Sequence, residues 1–332
     1  MMNDFSYTRA HEMNEVPLFL KQHQKNRIIG GGTNLLDLMK EGVEQTHGLI
    51  DVNHLGLNEI TPTEEGGLLI GATVTNSDIA FNEDIEKRYP LLSKAILKGA
   101  SPQLRNMATA AGNLMQRTRC YYFYDTSTRC NKREPGSGCD ALKGINKIHA
   151  VLGASDSCIA VHPSDMCVAL LALDAKVHIK SDTTYRVLPF AEFHRLPGST
   201  PHLDNNLKEG EMITGIELPK RGFPKHHAYV KARERNSYAF ALASAAVGYS
   251  LNDSYLSEVH IAVGGVAHKP WRDPEVEEFL KGKLPTKDNF RQAAELLFKN
   301  AVGRGHNDFK IELGKRVVVR ALEMAINNEV QE

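Results

Sequence analysis

The sequence predicts an α+β fold in three parts, and three observations carry that reading. A strand, a glycine-rich turn, a helix and a second strand follow one another within residues 1–55. Strand-like apolar patterns then recur through residues 56–222, around a helical stretch and a long irregular segment. After the linker Pro219-Lys220-Arg221-Gly222-Phe223-Pro224, residues 223–332 read as strands closed by two helices. A chain of 332 residues suits two or three units at roughly 150 residues per domain.

The elements follow in order. A short strand is expected near Phe5 to Tyr7, a helix near Val16 to Gln24, and a strand at Arg27 to Ile29. The turn Gly30-Gly31-Gly32-Thr33-Asn34 leads into a helix from Leu35 to Lys40, and His47 to Val52 gives the next strand. Gly67 to Val74 reads as a strand, and Asp78 to Ala100 as mostly helical with a break at Pro90. Ser101 to Asn113 is turn-rich, and residues 116–160 form a long irregular segment of the kind that usually carries function. An apolar helix, Met166 to Leu173, precedes strands at Ala175 to Ile179, Thr184 to Val187 and Glu211 to Leu218. Strands are expected at His227 to Lys231, Ala243 to Leu251 and His260 to Val266. The closing helices are expected near Asp288 to Ala301 and Lys310 to Asn328.

Composition removes several function classes. Forty basic residues balance forty acidic ones, so the electrostatic excess of a general nucleic-acid binder is missing. No window approaches the ~18 uncharged apolar residues of a membrane span. The N-terminus lacks a basic start followed by an apolar run. The expected location is the cytoplasm, or the periplasm if a partner carrying a signal exports the assembled complex.

Gly30-Gly31-Gly32-Thr33-Asn34 sits between an apolar strand and an amphipathic helix. Glycine lets the backbone take positive φ and approach a ligand, and a helix start favours negative charge, so a phosphate or pyrophosphate suits this place. A tight structural turn is the alternative. Thr109-Ala110-Ala111-Gly112-Asn113 has the same character. Two such turns favour an extended diphosphate ligand such as a dinucleotide.

Cysteines are clustered. Cys120, Cys130, Cys139, Cys158 and Cys167 fall in one stretch, and the spacing x9, x8, x18 contains no C-x2-4-C knuckle of the structural zinc kind. Four thiolates on a loop suit an iron–sulfur cluster, with free thiols or an oxidised pair as alternatives. Arg117, Arg119, Arg129, Lys132 and Arg133 would offset the cluster's negative charge. Cys167 lies in the apolar helix and reads as core.

IIGGGTNLLDLMK, QLRNMATAAGN, HPSDMCVAL, YVKARERNSYAFALAS and AVGGVAHKPWR occur in this order along the chain. On those motifs the sequence resembles the FAD-binding (medium) subunit of the xanthine dehydrogenase and carbon monoxide dehydrogenase family of molybdenum hydroxylases. The cysteine-bearing insertion makes it most similar to the branch of bacterial periplasmic aldehyde oxidoreductases, whose flavin subunit also carries a [4Fe-4S] cluster. The resemblance implies a two-part FAD-binding domain of the vanillyl-alcohol oxidase and p-cresol methylhydroxylase type. It also implies a C-terminal domain of the CO dehydrogenase flavoprotein type.

By the same resemblance, Ile28, Ile29, Gly30, Gly31, Gly32, Thr33, Asn34 and Leu35 match the first pyrophosphate loop. Thr109, Ala111, Gly112 and Asn113 match the second, usually Thr-x-Gly-Gly-Asn, where Ala111 replaces a glycine and would narrow the phosphate's room. Asp165 matches an aspartate that contacts the ribityl region, and Ile213 and Lys231 match positions lining the isoalloxazine. Cys120, Cys130, Cys139 and Cys158 match the four cluster ligands. His162, the Tyr121 to Tyr124 run, His268, Trp271 and Arg272 read as structural or interface residues. Tyr238 and Phe240 read as packing either near the flavin ring or in the core.

The implied activity is electron transfer. A large partner subunit with molybdenum cofactor would oxidise an aldehyde or heterocycle, and a small partner with two [2Fe-2S] clusters would feed FAD on this chain. An external acceptor would take the electrons. No catalytic acid, base or nucleophile is assigned to this chain. The rival readings are a self-contained flavin-dependent oxidase or dehydrogenase, and a zinc-braced scaffold.

Overall fold

Residues 2–327 are described in the computed structural model of the chain. β1 (Ser6–Arg9), α1 (Glu15–Gln22), β2 (Asn26–Ile29), α2 (Leu35–Lys40) and β3 (Gly48–Asp51) form the first part. β3 is central and both neighbours run parallel to it, pairing Ile28 with Ile50 and Ile29 with Asp51. Parallel neighbours need a crossover, and α2 carries the chain from β2 to β3. The end of β2 therefore opens directly onto the glycine turn.

The second part begins with β4 (Ile60–Pro62) and β5 (Leu68–Gly71), followed by α3 (Asn76–Ala80), α4 (Glu83–Arg88) and α5 (Pro90–Leu97). The helical run is thus cut twice rather than once. Asn82 caps α4 by accepting from the amides of Asp84 and Ile85. Pro90 starts α5 at a position where its missing N–H costs nothing. Short helices α6 (Pro102–Arg105), α7 (Ala110–Leu114) and α8 (Tyr121–Tyr124) lead into the irregular segment, which holds one further turn at Asp140–Leu142. α9 (Asp165–Ala172) is buried at every residue, with Ser164 capping it. β6 (Lys176–Lys180), β7 (Tyr185–Pro189), α10 (Phe190–Phe193) and β8 (Met212–Leu218) complete an antiparallel sheet ordered β4-β5-β8-β6-β7.

The third part is β9 (His226–Ala232), β10 (Ala243–Asn252), β11 (Tyr255–Gly264) and β12 (Trp271–Arg272), then α11 (Pro274–Leu280), α12 (Lys287–Leu297) and α13 (Phe309–Asn327). β11 starts at Tyr255 rather than at His260. Asp253 and Ser254 both take left-handed φ (48° and 71°), which folds β10 and β11 into a tight hairpin of the primed kind. α11 is an addition to the expected elements. Asp273 caps it and Pro274 opens it, a start signal that the sequence does contain. α13 lies over β9 and β10, burying Val318, Ala321, Leu322 and Ala325. Asn328, the expected end of that helix, lies outside the described residues. α9 packs between α5 and the β10–β11 pair, so one core joins the second and third sheets. No helix among the described residues is long and apolar enough to cross a membrane.

Candidate functional site

The two small-residue turns meet. A Cβ added to Gly31 would stand 1.8 Å from the Met107 carbonyl oxygen, and one on Gly30 would stand 3.0 Å from Thr109 Oγ1. The space that glycine leaves at position 31 is filled by the other turn's backbone. Packing between the turns therefore requires this glycine, independently of any ligand. Gly32 is needed for a different reason, since its φ of +68° is left-handed.

What the turns offer differs. Among the described residues, the amides of Gly31, Gly32, Thr33, Asn34 and Leu35 donate to no protein acceptor, as expected of a loop entering a helix. These donors fit the anionic pyrophosphate of a dinucleotide. In the second turn the amides are spent. Ala110 donates to the Val74 carbonyl (2.8 Å), Ala111 to that of Ala72 (3.0 Å) and Asn113 to that of Thr109 (2.8 Å), while Gly112 donates to Thr109 Oγ1 (3.3 Å). The second turn is a rigid shelf that presents side chains, with Asn113 Oδ1 accepting from Ser164 Oγ (2.5 Å) and Gln116 Nε2 (2.8 Å). Ala111 is half-buried and packs against the core.

Asp165 and Lys231 come together, but as an internal pair. Lys231 Nζ donates to Asp165 Oδ2 (2.8 Å) and to the Lys98 carbonyl (3.0 Å), and the Tyr229 hydroxyl donates to Asp165 Oδ1 (2.5 Å). The Lys231 side chain is 1% exposed. Burial pushes the Asp165 carboxyl up despite the Lys231 ammonium. Both carboxylate oxygens thus already have partners from within the fold. Ile213 pairs with Ile179 across β8 and β6 and belongs to the main core.

The four cysteines converge. Cys120, Cys130, Cys139 and Cys158 all line one small pocket, together with Thr118, Phe123, Lys132 and Ala160. None is in a disulfide. Cys130 and Cys139 face each other across an antiparallel bridge, which solves the spacing that lacked a knuckle. Burial pushes the Cys120 thiol up to about 12 and that of Cys158 to about 11, and also raises Cys139. Amides oppose this: Phe123 and Tyr122 face Cys120, Ala141 and Leu142 face Cys139, and Ala160 donates to Cys158 Sγ (3.4 Å). Four unbridged thiols with amide donors around them match what an iron–sulfur cluster needs.

The surrounding cations mostly brace the loop. Arg117 pairs with Asp204 (2.8 Å), Arg129 with Asp140 (2.8 Å), and Arg119 with Asp37 (3.7 Å). Arg133 donates to the Tyr122 and Phe123 carbonyls (2.8 Å each). Lys132 is the buried one. It pairs with Asp204 and its charge is felt at Cys158.

The pocket lies close to the glycine turn. Leu35 opens α2 just after that turn, and Leu38 of α2 belongs to the same buried apolar cluster as Cys120, Cys130 and Cys158. Asn34 Oδ1 accepts from the Arg117 amide (2.8 Å), tying the turn to the segment entering the cysteines.

Other singled-out residues find plain roles. The His162 ring lies tilted against that of His194, centroids 4.4 Å apart, and His268 hydrogen-bonds the Arg195 carbonyl (2.8 Å). Trp271 and Arg272 form β12, where Arg272 pairs with Glu277. Within the tyrosine run Phe123 is buried and Tyr121 exposed. Tyr238 and Phe240 are exposed rather than core, and Arg119 covers the Phe240 ring at 5.1 Å. Sequence reasoning missed His149, whose Nε2 lies 3.0 Å from Cys120 Sγ, because a lone histidine in no motif carries no signal.

Comparison with known proteins gives the family. Residues 3–221 match the family described as FAD binding domain in molybdopterin dehydrogenase, and residues 227–325 match the CO dehydrogenase flavoprotein C-terminal domain. The aldehyde oxidoreductase FAD-binding subunit of Escherichia coli is 46% identical over 98% of this chain and 99% of its own. The glyceraldehyde dehydrogenase medium chain of Sulfolobus acidocaldarius is 26% identical over 96% of this chain and 98% of its own. A carbon monoxide dehydrogenase structure from Hydrogenophaga pseudoflava shares the fold, with a TM-score of 0.78 and 23% identity over 99% of this chain and 100% of its own.

Proposed function

The chain belongs to the FAD-binding medium subunits of the molybdenum hydroxylase family, and from that premise we propose that it carries both FAD and a [4Fe-4S] cluster as the electron-transfer subunit of a three-subunit aldehyde oxidoreductase. The observation that carries this reading is the convergence of four unbridged thiols on one pocket, whose entering segment is tied to the glycine turn by the Arg117 amide donating to Asn34 Oδ1. A large partner with molybdenum cofactor oxidises the aldehyde, and a small partner with two [2Fe-2S] clusters delivers electrons here. FAD supplies the exchange between one-electron and two-electron carriers.

The chain's own residues hold and insulate. The free amides of Gly31 to Leu35 bind the pyrophosphate, with Ile28, Ile29 and Gly30 shaping the approach. Thr109, Ala111, Gly112 and Asn113 form the opposite shelf. Ile213 and the Asp165–Lys231 pair keep the wall behind that shelf rigid. Cys120, Cys130, Cys139 and Cys158 bind the iron cluster, and Leu38 and Phe123 exclude water from it. Because metal binding needs thiolates and burial raises the Cys120, Cys139 and Cys158 thiols, loading releases protons.

The test is reduction by substrate. Aldehyde added anaerobically to the assembled complex is expected to bleach the flavin, whereas the isolated chain is expected to stay oxidised. Bleaching of the isolated chain at a comparable rate would overturn the proposal in favour of a self-contained flavin dehydrogenase.

A further inference from the structure

Residues 146–150, between the third and fourth cysteines, are pinned from the C-terminal part of the chain. Lys310 Nζ, at the start of α13, donates to the carbonyls of Ile148 (3.0 Å), His149 (2.8 Å) and Gly265 (2.5 Å). Asn307 Nδ2 donates to the carbonyls of Ala150 (3.0 Å) and His149 (3.4 Å), and Asn146 Nδ2 to that of Arg304 (2.8 Å). Lys310 and Asn307 are fully buried. This clamp holds the His149 ring, itself 1% exposed, with Nε2 3.0 Å from Cys120 Sγ.

An iron-bound thiolate can only accept a hydrogen bond, so Nε2, 3.0 Å from the Cys120 sulfur, carries a proton and donates it.

We propose that His149 is a positioning residue that donates a hydrogen bond from Nε2 to the Cys120 sulfur and thereby raises the reduction potential of the iron cluster, with Lys310 and Asn307 holding it in place. The inference rests on the [4Fe-4S] reading above. A donor aimed at a ligand sulfur stabilises the added negative charge of the reduced state more than the oxidised one. A hydrogen bond to a charged group is worth about tenfold in such an equilibrium, which for a one-electron couple is about 59 mV. The third part of the fold thereby takes a hand in an electron-transfer site built from the second.

The experiment is a potentiometric titration of the assembled complex, following the reduced cluster by electron paramagnetic resonance with iron counted in parallel. His149→Leu is expected to keep its iron and to lower the midpoint potential by about tenfold in the reduced-to-oxidised ratio. His149→Gln, which restores an N–H, is expected to recover most of that shift, and Lys310→Met to show a smaller loss. Full iron with an unmoved potential in His149→Leu would overturn the inference while leaving the cluster reading intact. If His149→Leu loses iron, His149→Gln decides: a near-native potential supports the inference, and iron loss or a Leu-like shift overturns it. A wild-type complex whose only iron is in the partner's [2Fe-2S] clusters would overturn the cluster reading and this inference with it.

Discussion

The proposed flavin site and the cysteine pocket are neighbours built by opposite means. The proposed flavin site draws on segments far apart in the chain, and the groups it offers are backbone amides that are already unpaired. The pocket comes from one continuous segment, and the groups it offers are side-chain thiols, of which burial keeps Cys120 and Cys158 protonated. A preformed backbone site loses affinity in steps when its shape is disturbed. A site that must ionise four groups together is closer to all or none. Asn34 and Asp37, bonded to the Arg117 amide and the Tyr124 hydroxyl, bring the two sites together without making them alike.

The largest expected effect is on the pocket. Cys120→Ser or Cys158→Ser should abolish the broad iron–sulfur absorbance while a flavin spectrum remains. Retention of full iron in both variants would break the contrast at its base. Next comes the brace. Asp204 is held by Lys132 and Arg117, whose charges outweigh burial and keep its carboxyl well below the usual aspartate range. Asp204→Asn leaves Lys132 buried without its counter-charge and should cost roughly 3 kcal/mol in urea unfolding. The sign with pH follows from the depressed value. Its stabilisation is complete above the unfolded aspartate value of about 3.9 and is lost as pH falls towards the folded one. Wild type should therefore lose stability below about pH 4 more steeply than Asp204→Asn. An equal acid slope in the two proteins would remove Asp204 from the account.

The smallest effect belongs to the groove. Gly31→Ala forces a Cβ against the Met107 carbonyl, and overpacking of this kind costs about 1–3 kcal/mol. Flavin should bind more weakly while iron content is unchanged. Flavin titration of the variant checks this, and undiminished affinity would show that the turns can part without harm to the groove.

The sequence announced the glycine turn because three glycines between an apolar strand and a helix leave few alternatives. It did not announce that Met107 and Thr109 would lie against that turn, since contacts between distant segments depend on how three sheets pack. Cysteine clustering was visible, but the ligand pairing was not. Cys130 and Cys139 come opposite each other through a bridge whose turn, with Gly136 and Gly138 at positive φ, no knuckle pattern describes. The ion pair of Asp165 and Lys231 spans two parts of the chain, and only its family resemblance drew notice to it. The resemblance suggested a ligand contact, whereas burial gave the aspartate an internal partner. Ala111, which stands where the family usually has glycine, is half-buried against the core, a placement that only the packing reveals.

The most direct measurement is flavin and iron quantitation on the purified chain, read alongside its visible spectrum. The account predicts about one FAD and about four irons per chain. Flavin without iron, or zinc in place of iron, would contradict it.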